Sequence, residues 1–300
     1  MVLFPHPMRN PLAYDGSFWR KLARLGAQRG PEWWLCYSPP VFGLVAAIAV
    51  PSARRAVLRN LHRIRGDTGR INDVIDTART FTTYAGALAE SLASGSKNSR
   101  MPDEVLVGRE HIDESVRGKK GVIIATAHSG GWEVAGPLFA NHYSMEIMMV
   151  MEPERDARAR QIHDEARRSI GLNVVHVGSD PLSALPLLRH LQCGQIVALQ
   201  VDRVPEGMRS HRVRLLGADG TIPEGPLRLA QLSGAPILPV FCARLGFRTY
   251  LIEAHPPIYV PRRATAEESD AAAQTLADTL SAFLTAHPTQ WFHFGSPVVG

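Results

Sequence analysis

The chain has 300 residues, enough to bury a sizeable core in one large domain or two small ones. Its 45% hydrophobic content excludes disorder throughout, and its formal net charge of +5 is modest. The three cysteines are isolated and lack a C-x-x-C spacing, so neither a disulfide framework nor a zinc site is predicted.

The first hundred residues are predicted to be mainly helical. Residues 54–64 and 71–92 carry apolar side chains at helical spacing, and a Gly-Asp-Thr-Gly turn separates them. A polar stretch at 94–99 then reads as a linker. We therefore divide the chain into a helical N-terminal region, residues 1–100, and a second region, residues 101–300.

Residues 33–50 are almost wholly apolar and begin with two tryptophans. Pro39 and Pro40 interrupt this segment, so neither part is predicted to be long enough to span a bilayer. A helix lying in the membrane interface and a helix buried on the core both fit the pattern. The interfacial alternative gains support from basic residues that follow, Arg54, Arg55 and Arg59.

After residue 100, short apolar runs alternate with helical stretches, which predicts an α/β fold with a mainly parallel central sheet covered by helices. The predicted strands are 105–107, 122–126, 146–151, 173–177, 196–200, 212–216, 237–242 and 249–253. The predicted helices are 132–139, 155–170, 181–191, 224–232 and 266–286.

The most informative run is 126–133, TAHSGGWE, at the end of a buried strand. His128 stands where open α/β sheets place their ligands, and Glu133 follows five positions later. A carboxylate at that spacing could hold one imidazole nitrogen and leave the other as a general base. A helix cap or a satisfied loop histidine is the simpler alternative.

Other polar residues follow later elements and could complete this site. Asp202 and Arg203 come directly after the strand at 196–200. Glu224 and Gly225 lie in a predicted loop, 221–226, that opens a helix whose free N–H groups would suit an anion. Such parts are expected for acyl transfer, although Asp202 and Arg203 could be a local ion pair and Glu224 could merely begin a helix.

Five segments in order resemble one known family, the bacterial lipid A lauroyl/myristoyl acyltransferases of the lysophospholipid acyltransferase superfamily. Each motif is weak alone, and five together are fairly specific. Residues 128–133 resemble the H-x4-[D/E] box in its H-x-G-N-W-E form. The others are a basic segment ending in Asn-Leu at 54–61 (RRAVLRNL), 225–230 (GPLRLA), 234–241 (GAPILPVF) and 287–291 (HPTQW).

The resemblance implies transfer of a fatty acyl group from acyl carrier protein or coenzyme A to a hydroxyl or amine of a lipid or glycolipid. It implies His128 as the base and Glu133 as its partner, with Asp202, Arg203 and the segment at Glu224 and Gly225 holding polar groups of a substrate. No cofactor besides the thioester is implied. The family works at the cytoplasmic face of the inner membrane, so a membrane surface is an expected partner.

Three alternatives are weighed against this hypothesis. A serine hydrolase would need a G-x-S-x-G elbow, which the sequence lacks. A nonenzymatic lipid-binding protein, or an inactive member of the same fold, would leave His128 and Glu133 without a purpose. An acyltransferase acting on a soluble product shares the same motifs. No nucleic-acid-binding motif is found, so nucleic acid is not an expected partner.

Overall fold

A mainly parallel sheet forms the centre of the structure, a computed structural model that describes residues 17–94, 100–131, 142–151, 173–176, 184–205 and 207–295. The strands of this sheet are β1 (Asp103–Val107), β2 (Val122–Thr126), β3 (Ile147–Met151), β4 (Asn173–His176), β5 (Ile196–Gln200), β8 (Ile237–Gly246) and β9 (Thr249–Ala254). They lie in the order β1-β9-β8-β2-β5-β3-β4, and neighbours are parallel except β8 and β9. The predicted fold class is confirmed.

The N-terminal region is helical, as predicted. Its helices are α1 (Ser17–Arg29), α2 (Glu32–Ala49), α3 (Pro51–Arg65) and α4 (Arg70–Ala93). The helices beyond it are α5 (Arg109–Arg117), α6 (Leu185–Gln192), α7 (Gly225–Ser233) and α8 (Ala266–Ala286), with a 3-10 turn at Pro288–Gln290. Helix α8 begins with a capping box between Thr265 and Glu268, which satisfies two backbone N–H groups.

The predicted break at Pro39 and Pro40 was wrong, because α2 runs through both prolines. Two prolines in mid-helix remove two backbone donors and are costly in isolation. Here packing decides: Pro39 and Gly43 are buried on one side of α2, against α4. A Cβ on Gly43 would lie 2.6 Å from the carbonyl oxygen of Phe81, so the two backbones touch closely. Tertiary contact therefore overrides the local preference.

No single helix in the described part of the chain is both long and apolar enough to cross a bilayer. Helices α2 and α3 would pass that test only as a pair, and they are bent by 98° at Val50. The Arg54 guanidinium donates to the carbonyl oxygens of Ala47 (3.0 Å) and Ile48 (3.3 Å), which stabilises the end of α2 at this bend.

The segment at 221–226 was predicted as a loop, and its first half is instead a strand. β6 (Ser210–Leu215) and β7 (Ala218–Pro223) form an antiparallel hairpin outside the main sheet. Val213, Leu215 and Ile222 of this hairpin join the core that also contains α8. The turn at Gly217 was the missed signal.

The core lies on both faces of the sheet. On one face, Ile123, Val197 and Phe241 pack with α7 and α8, and on the other, Ile124, Met149 and Leu238 pack with Ile112 of α5. Such two-sided burial explains why the central strands read as continuous apolar runs. The predicted helices at 132–139 and 155–170 lie outside the described residues, as does most of the linker at 94–99.

Candidate active site

His128 and Asp202 meet because their strands are neighbours. β2 and β5 are parallel, with Thr126 opposite Gln200, so the residues two positions beyond each strand end lie side by side. The Nδ1 atom of His128 is 2.8 Å from Oδ1 of Asp202, and the His128 backbone N–H donates to the same oxygen (3.2 Å). The structure thus brings together two of the predicted site residues.

The Asp202 carboxylate is a fully buried acceptor. Its side chain has no exposed surface, whereas the His128 side chain is 30% exposed. Burial alone would raise the pKa of Asp202. The charges of His128 and Arg203, with hydrogen bonds from His128 and Trp291, outweigh burial and hold that pKa well below its usual range. An ionised carboxylate only accepts, so Nδ1 carries the proton and Nε2 is left as the basic nitrogen.

Two glycines allow the turn after His128. Gly130 and Gly131 both have positive φ angles, 23° and 85°. A Cβ on Gly130 would lie 2.2 Å from the carbonyl oxygen of Cys242, and one on Gly131 would lie 2.4 Å from the Tyr250 ring. The chain can therefore pass against β8 and β9 here only without side chains.

A C-terminal segment, residues 290–293, closes the site and is called the strap below. The indole N–H of Trp291 donates to Oδ2 of Asp202 (2.9 Å), and the Phe292 N–H donates to the carbonyl oxygen of His128 (2.8 Å). Gln290 fixes the strap to the sheet, because its amide makes two hydrogen bonds with the backbone of Arg244. Both oxygens of Asp202 therefore have donors.

The strap also receives side chains from two other parts of the fold. Arg203 donates through Nη2 to the carbonyl oxygen of Phe292 (2.9 Å). Asn60 of α3, itself buried, donates to the carbonyl oxygen of His293 (2.7 Å). The predicted residue Arg203 thus lies beside the His128 pair, and the N-terminal region contributes directly to this site.

Glu224 and Gly225 lie at the beginning of α7, which packs against β2 and β8. The Glu224 N–H donates to the carbonyl oxygen of Arg209 (2.9 Å), and space around the Gly225 Cα is open. No hydrogen bond or ion pair of the Glu224 side chain exists among the described residues. Their predicted role in holding a substrate stays a prediction.

Glu133 lies outside the described residues, so its predicted partnership with His128 also stays a prediction. Within the described residues, the carboxylate on Nδ1 of His128 belongs to Asp202. Sequence reasoning gave no role to Trp291, Asn60 or His293. The first two fall within segments that carried the family resemblance, which was the only signal available for them.

One other group in the described ranges has ligand atoms close enough to hold a metal ion: His62, Asp67 and Asp73, whose atoms lie within 4.8 Å of one another. Asp73 is already paired with His62 (2.8 Å) and Arg65 (3.1 Å). The Arg65 charge would oppose a cation there. We therefore interpret this group as a structural contact, in which Asp73 of α4 pairs with His62 and Arg65 of α3.

Residues 32–296 match the family model described as bacterial lipid A biosynthesis acyltransferase. The chain belongs to this family. The match includes α2, the sheet and the strap, so the family pattern contains every part of the site described above. Membership confirms the resemblance drawn from the five sequence segments.

Curated relatives of this family member are phosphatidylinositol mannoside acyltransferases. That of Mycobacterium tuberculosis is 27% identical over 198 residues, 65% of this chain and 60% of the relative. That of Mycolicibacterium smegmatis is 24% identical over 258 residues, 84% of this chain and 82% of the relative. This chain therefore matches less than two thirds of the length of the M. tuberculosis protein.

Proposed function

We propose that this family member is an acyltransferase that moves a fatty acyl group from a thioester to a hydroxyl or amine of a lipid or glycolipid. The observation that carries the proposal is the His128–Asp202 pair, a partly exposed imidazole oriented by a buried carboxylate at the ends of two parallel strands. Family membership supports the reaction class.

In the proposed reaction, Nε2 of His128 takes the proton of the acceptor as its oxygen or nitrogen attacks the thioester carbon. The carbon–sulfur bond then breaks, and the imidazolium returns the proton to the leaving thiolate. Asp202 keeps the imidazole in the required tautomer and stabilises the imidazolium. Base assistance of this kind contributes about 10²- to 10⁴-fold. No covalent acyl-enzyme and no cofactor besides the thioester co-substrate are needed.

In this proposal Asp202 performs the orienting role that the sequence had suggested for Glu133. To learn which of the two carboxylates orients His128, kcat is compared between Asp202→Asn and Glu133→Gln. Arg203 binds a polar group of one substrate, and Glu224 and Gly225 offer the beginning of α7 to an anion or developing oxyanion. The donor is an acyl carrier protein or coenzyme A thioester. The names of the curated relatives favour a mannose-bearing phospholipid as the acceptor.

A large apolar cavity supports a fatty acyl substrate. Its volume is about 700 Å³, and it lies between α1, α2 and α4. Leu88 of α4 lines it, and Tyr84, one turn earlier, packs on Phe292 of the strap with ring centroids 5.4 Å apart. The cavity volume lies within the range of about 300–1,000 Å³ that is typical of ligand pockets. We assign it to the acyl chain of the donor.

We also propose that the protein works on a membrane surface, at the cytoplasmic face of the inner membrane. One side of α2 is buried on α4, while the opposite side exposes large apolar residues along its length. These are Trp33, Tyr37, Val41, Leu44 and Ile48, which recur at helical spacing and are 44–74% exposed. Three exposed arginines of α3 follow at the bend, Arg54, Arg55 and Arg59. An apolar stripe beside positive charge suits an anionic lipid surface.

The transfer reaction is tested with purified protein, palmitoyl-CoA and a phosphatidylinositol mannoside acceptor, with the acylated lipid measured by mass spectrometry. His128→Ala should reduce kcat by about 10²-fold or more, because it removes the base. Circular dichroism and thermal unfolding show whether the variant is folded. A folded His128→Ala protein that transfers at the normal rate would remove the proposed mechanism.

The membrane proposal is tested with vesicles that contain anionic or only zwitterionic phospholipids. Binding to anionic vesicles should weaken as salt rises, because surface potential attracts the α3 arginines. Tyr37→Ser combined with Ile48→Ser should weaken binding at every salt concentration, because the double variant loses exposed apolar area and no charge. Absence of vesicle binding at low salt would favour the alternative of an acyltransferase that acts on a soluble product.

A further inference from the structure

Two arginines, Arg203 and Arg63, lie close enough to His293 of the strap for their charges to act on its ring. Arg203 reaches the strap from the end of β5 and bonds to the carbonyl oxygen of Phe292, whose N–H bonds to His128. Arg63 lies one turn after Asn60 on α3, and Asn60 holds the carbonyl oxygen of His293. The His293 ring lies on the same side of the strap as Trp291, with ring centroids 5.4 Å apart. His293 therefore faces the region where Trp291 contacts Asp202.

Neither arginine forms an ion pair within 4.0 Å with a carboxylate among the described residues, although Asp202 and Asp219 are near enough to interact electrostatically. Arg63 donates from Nη2 to the carbonyl oxygens of Leu215 (3.0 Å) and Asp219 (2.9 Å), and it forms no ion pair there. Arg203 makes only its bond to Phe292 among the described residues. The Nε atoms of both are buried and have no hydrogen-bond partner within that part of the chain.

The nearest carboxylates are already occupied. Asp202 accepts from His128 and Trp291, and the Asp219 side chain, almost fully exposed, pairs with Arg214 at 2.8 Å. A half-buried guanidinium group without an anionic partner is costly, because burial removes part of its hydration and no negative charge replaces it. Planar guanidinium groups also match the geometry of phosphate oxygens. The two charges together therefore favour an anionic ligand.

His293 adds a second, independent observation. The residue is only 6% exposed, and its buried Nδ1 atom has no hydrogen-bond partner among the described residues. Burial, with the positive charges of Arg203, His128 and Arg63, lowers the pKa of His293 to about 4, although Asp202 opposes the shift. The ring is thus neutral at pH 7, and in the tautomer that carries the proton on Nδ1 it offers this N–H to an anion.

We propose that Arg63, Arg203 and His293 form an anion site that binds a phosphate group of one substrate beside His128. The proposal rests on the acyl transfer proposed above and names the chemistry that would be recognised there. Two sources carry such a phosphate: the phosphopantetheine arm of the donor and the phosphodiester of a phospholipid acceptor. Binding would place the reacting end of that substrate near Nε2 of His128.

Binding of inorganic phosphate tests the site without reference to catalysis. The imidazole signals of His293, assigned with His293→Gln, should shift saturably in NMR spectra as phosphate is added to the full chain. The pKa of His293 should also rise on binding, because a bound anion offsets the charges of Arg63 and Arg203. The double variant Arg63→Gln/Arg203→Gln should lose the phosphate-induced change. Arg262→Gln, which neutralises an exposed arginine elsewhere, should keep it.

Kinetics then identify the source of the phosphate. The double variant should raise the KM for S-palmitoyl-4′-phosphopantetheine at least about tenfold and leave S-palmitoyl-pantetheine unchanged if the donor phosphate binds. If the acceptor phosphate binds, the double variant should instead raise the KM for phosphatidylinositol dimannoside at least about tenfold. The KM for an alkyl mannoside, which has no phosphate, should then stay unchanged. Equal effects on all four substrates, or an unchanged His293 spectrum with phosphate, would overturn the proposal. Failure of the wild type to transfer acyl groups would contradict the proposed function only, since the NMR result stands apart from it.

Discussion

Glu90 and Asp202 are both buried carboxylates, and their surroundings differ in one decisive respect. Glu90 of α4 accepts from the Arg244 guanidinium at Nε (3.0 Å) and Nη2 (2.6 Å), from the Arg248 N–H and from the Tyr250 hydroxyl. Every side chain in that group is buried or half-buried, and arginine keeps its charge at any physiological pH. The Glu90 group is a fixed structural contact between α4, β8 and β9.

Asp202 is paired instead with an imidazole that is partly open to solvent. The His128 side chain is 30% exposed, so its ring can reach a bound substrate, whereas the buried Trp291 serves only as a hydrogen-bond donor. A buried acid paired with a permanent cation stabilises the fold. A buried acid paired with a partly exposed imidazole can also take part in proton transfer, and this difference is the reason why we propose the reaction at His128 and not at Glu90.

The largest expected effect comes from Asp202→Asn. His128 Nδ1, the His128 N–H and the Trp291 N–H all donate to this side chain, and one amide oxygen cannot accept from both ends. The new amide NH₂ must then either face the Trp291 N–H or donate to Nδ1 of His128, and the second arrangement moves the imidazole proton to Nε2. We expect kcat to fall by about 10²- to 10⁴-fold with the fold retained. Steady-state kinetics and thermal unfolding measure this, and a fully active Asp202→Asn protein would show that the carboxylate has only a structural role.

Glu90→Gln should have the opposite profile. It leaves the Arg244 charge buried without its partner, so the free energy of unfolding should fall by about 3–5 kcal/mol. Activity per folded molecule should change little, because Glu90 contacts neither His128 nor the strap in the described structure. Urea unfolding measures the first effect and assays below the unfolding transition measure the second. A large loss of kcat in folded Glu90→Gln protein would show that Glu90 is not purely structural.

Trp291→Phe sharpens the comparison, since it keeps an aromatic ring and removes only the N–H donor to Asp202. The unpaired carboxylate oxygen should cost about 1–3 kcal/mol. With this hydrogen bond lost, the pKa of Asp202 rises towards its usual range, so stability should be lost at a higher pH than in the wild type as the solution is acidified. Tyr84→Leu, which changes a ring packed on the strap, is the matched control. An acid-unfolding midpoint equal to that of the wild type in Trp291→Phe would show that the indole N–H does not stabilise the ionised carboxylate.

The last expected effect concerns how the stability of the fold depends on pH. His293 is neutral in the folded chain down to a pKa of about 4, while in the unfolded chain it gains a proton near 6.5. The unfolded state therefore binds the proton first as pH falls, and stability is lost between about pH 6.5 and 4. The full loss would be about 3 kcal/mol. His293→Gln should flatten this part of the stability curve, and a curve identical to wild type would contradict the assignment.

Much of the sheet could be predicted, because its strands are apolar on both faces and most helices have the expected period. The position of Asp202 relative to His128 could not, since it depends on β5 lying beside β2, and strand order is not written in local patterns. His128 stood out because a turn and an acid follow it. For Asp202, the sequence was equally consistent with a site residue and with a local ion pair to Arg203.

The errors also have physical causes. Pro39 and Pro40 disfavour a helix locally, but contact with α4 along Pro39 and Gly43 outweighs that preference. Trp291 was out of reach for a different reason, because it lies 89 residues from Asp202 along the chain and no period links them. Only the resemblance of the segment at 287–291 marked that part of the sequence as noteworthy.

The strap has a consequence for how the protein is made. Ribosomes add residues 290–293 after every other part of the site, so a nascent chain carries His128 and Asp202 long before Trp291 can bind the carboxylate. The sheet can assemble early as its strands emerge. Until the strap arrives, one oxygen of Asp202 lacks its donor and the carbonyl of His128 lacks the Phe292 N–H. Translation order therefore makes the strap's hydrogen bonds to Asp202 and His128 the last contacts of this pair that can form.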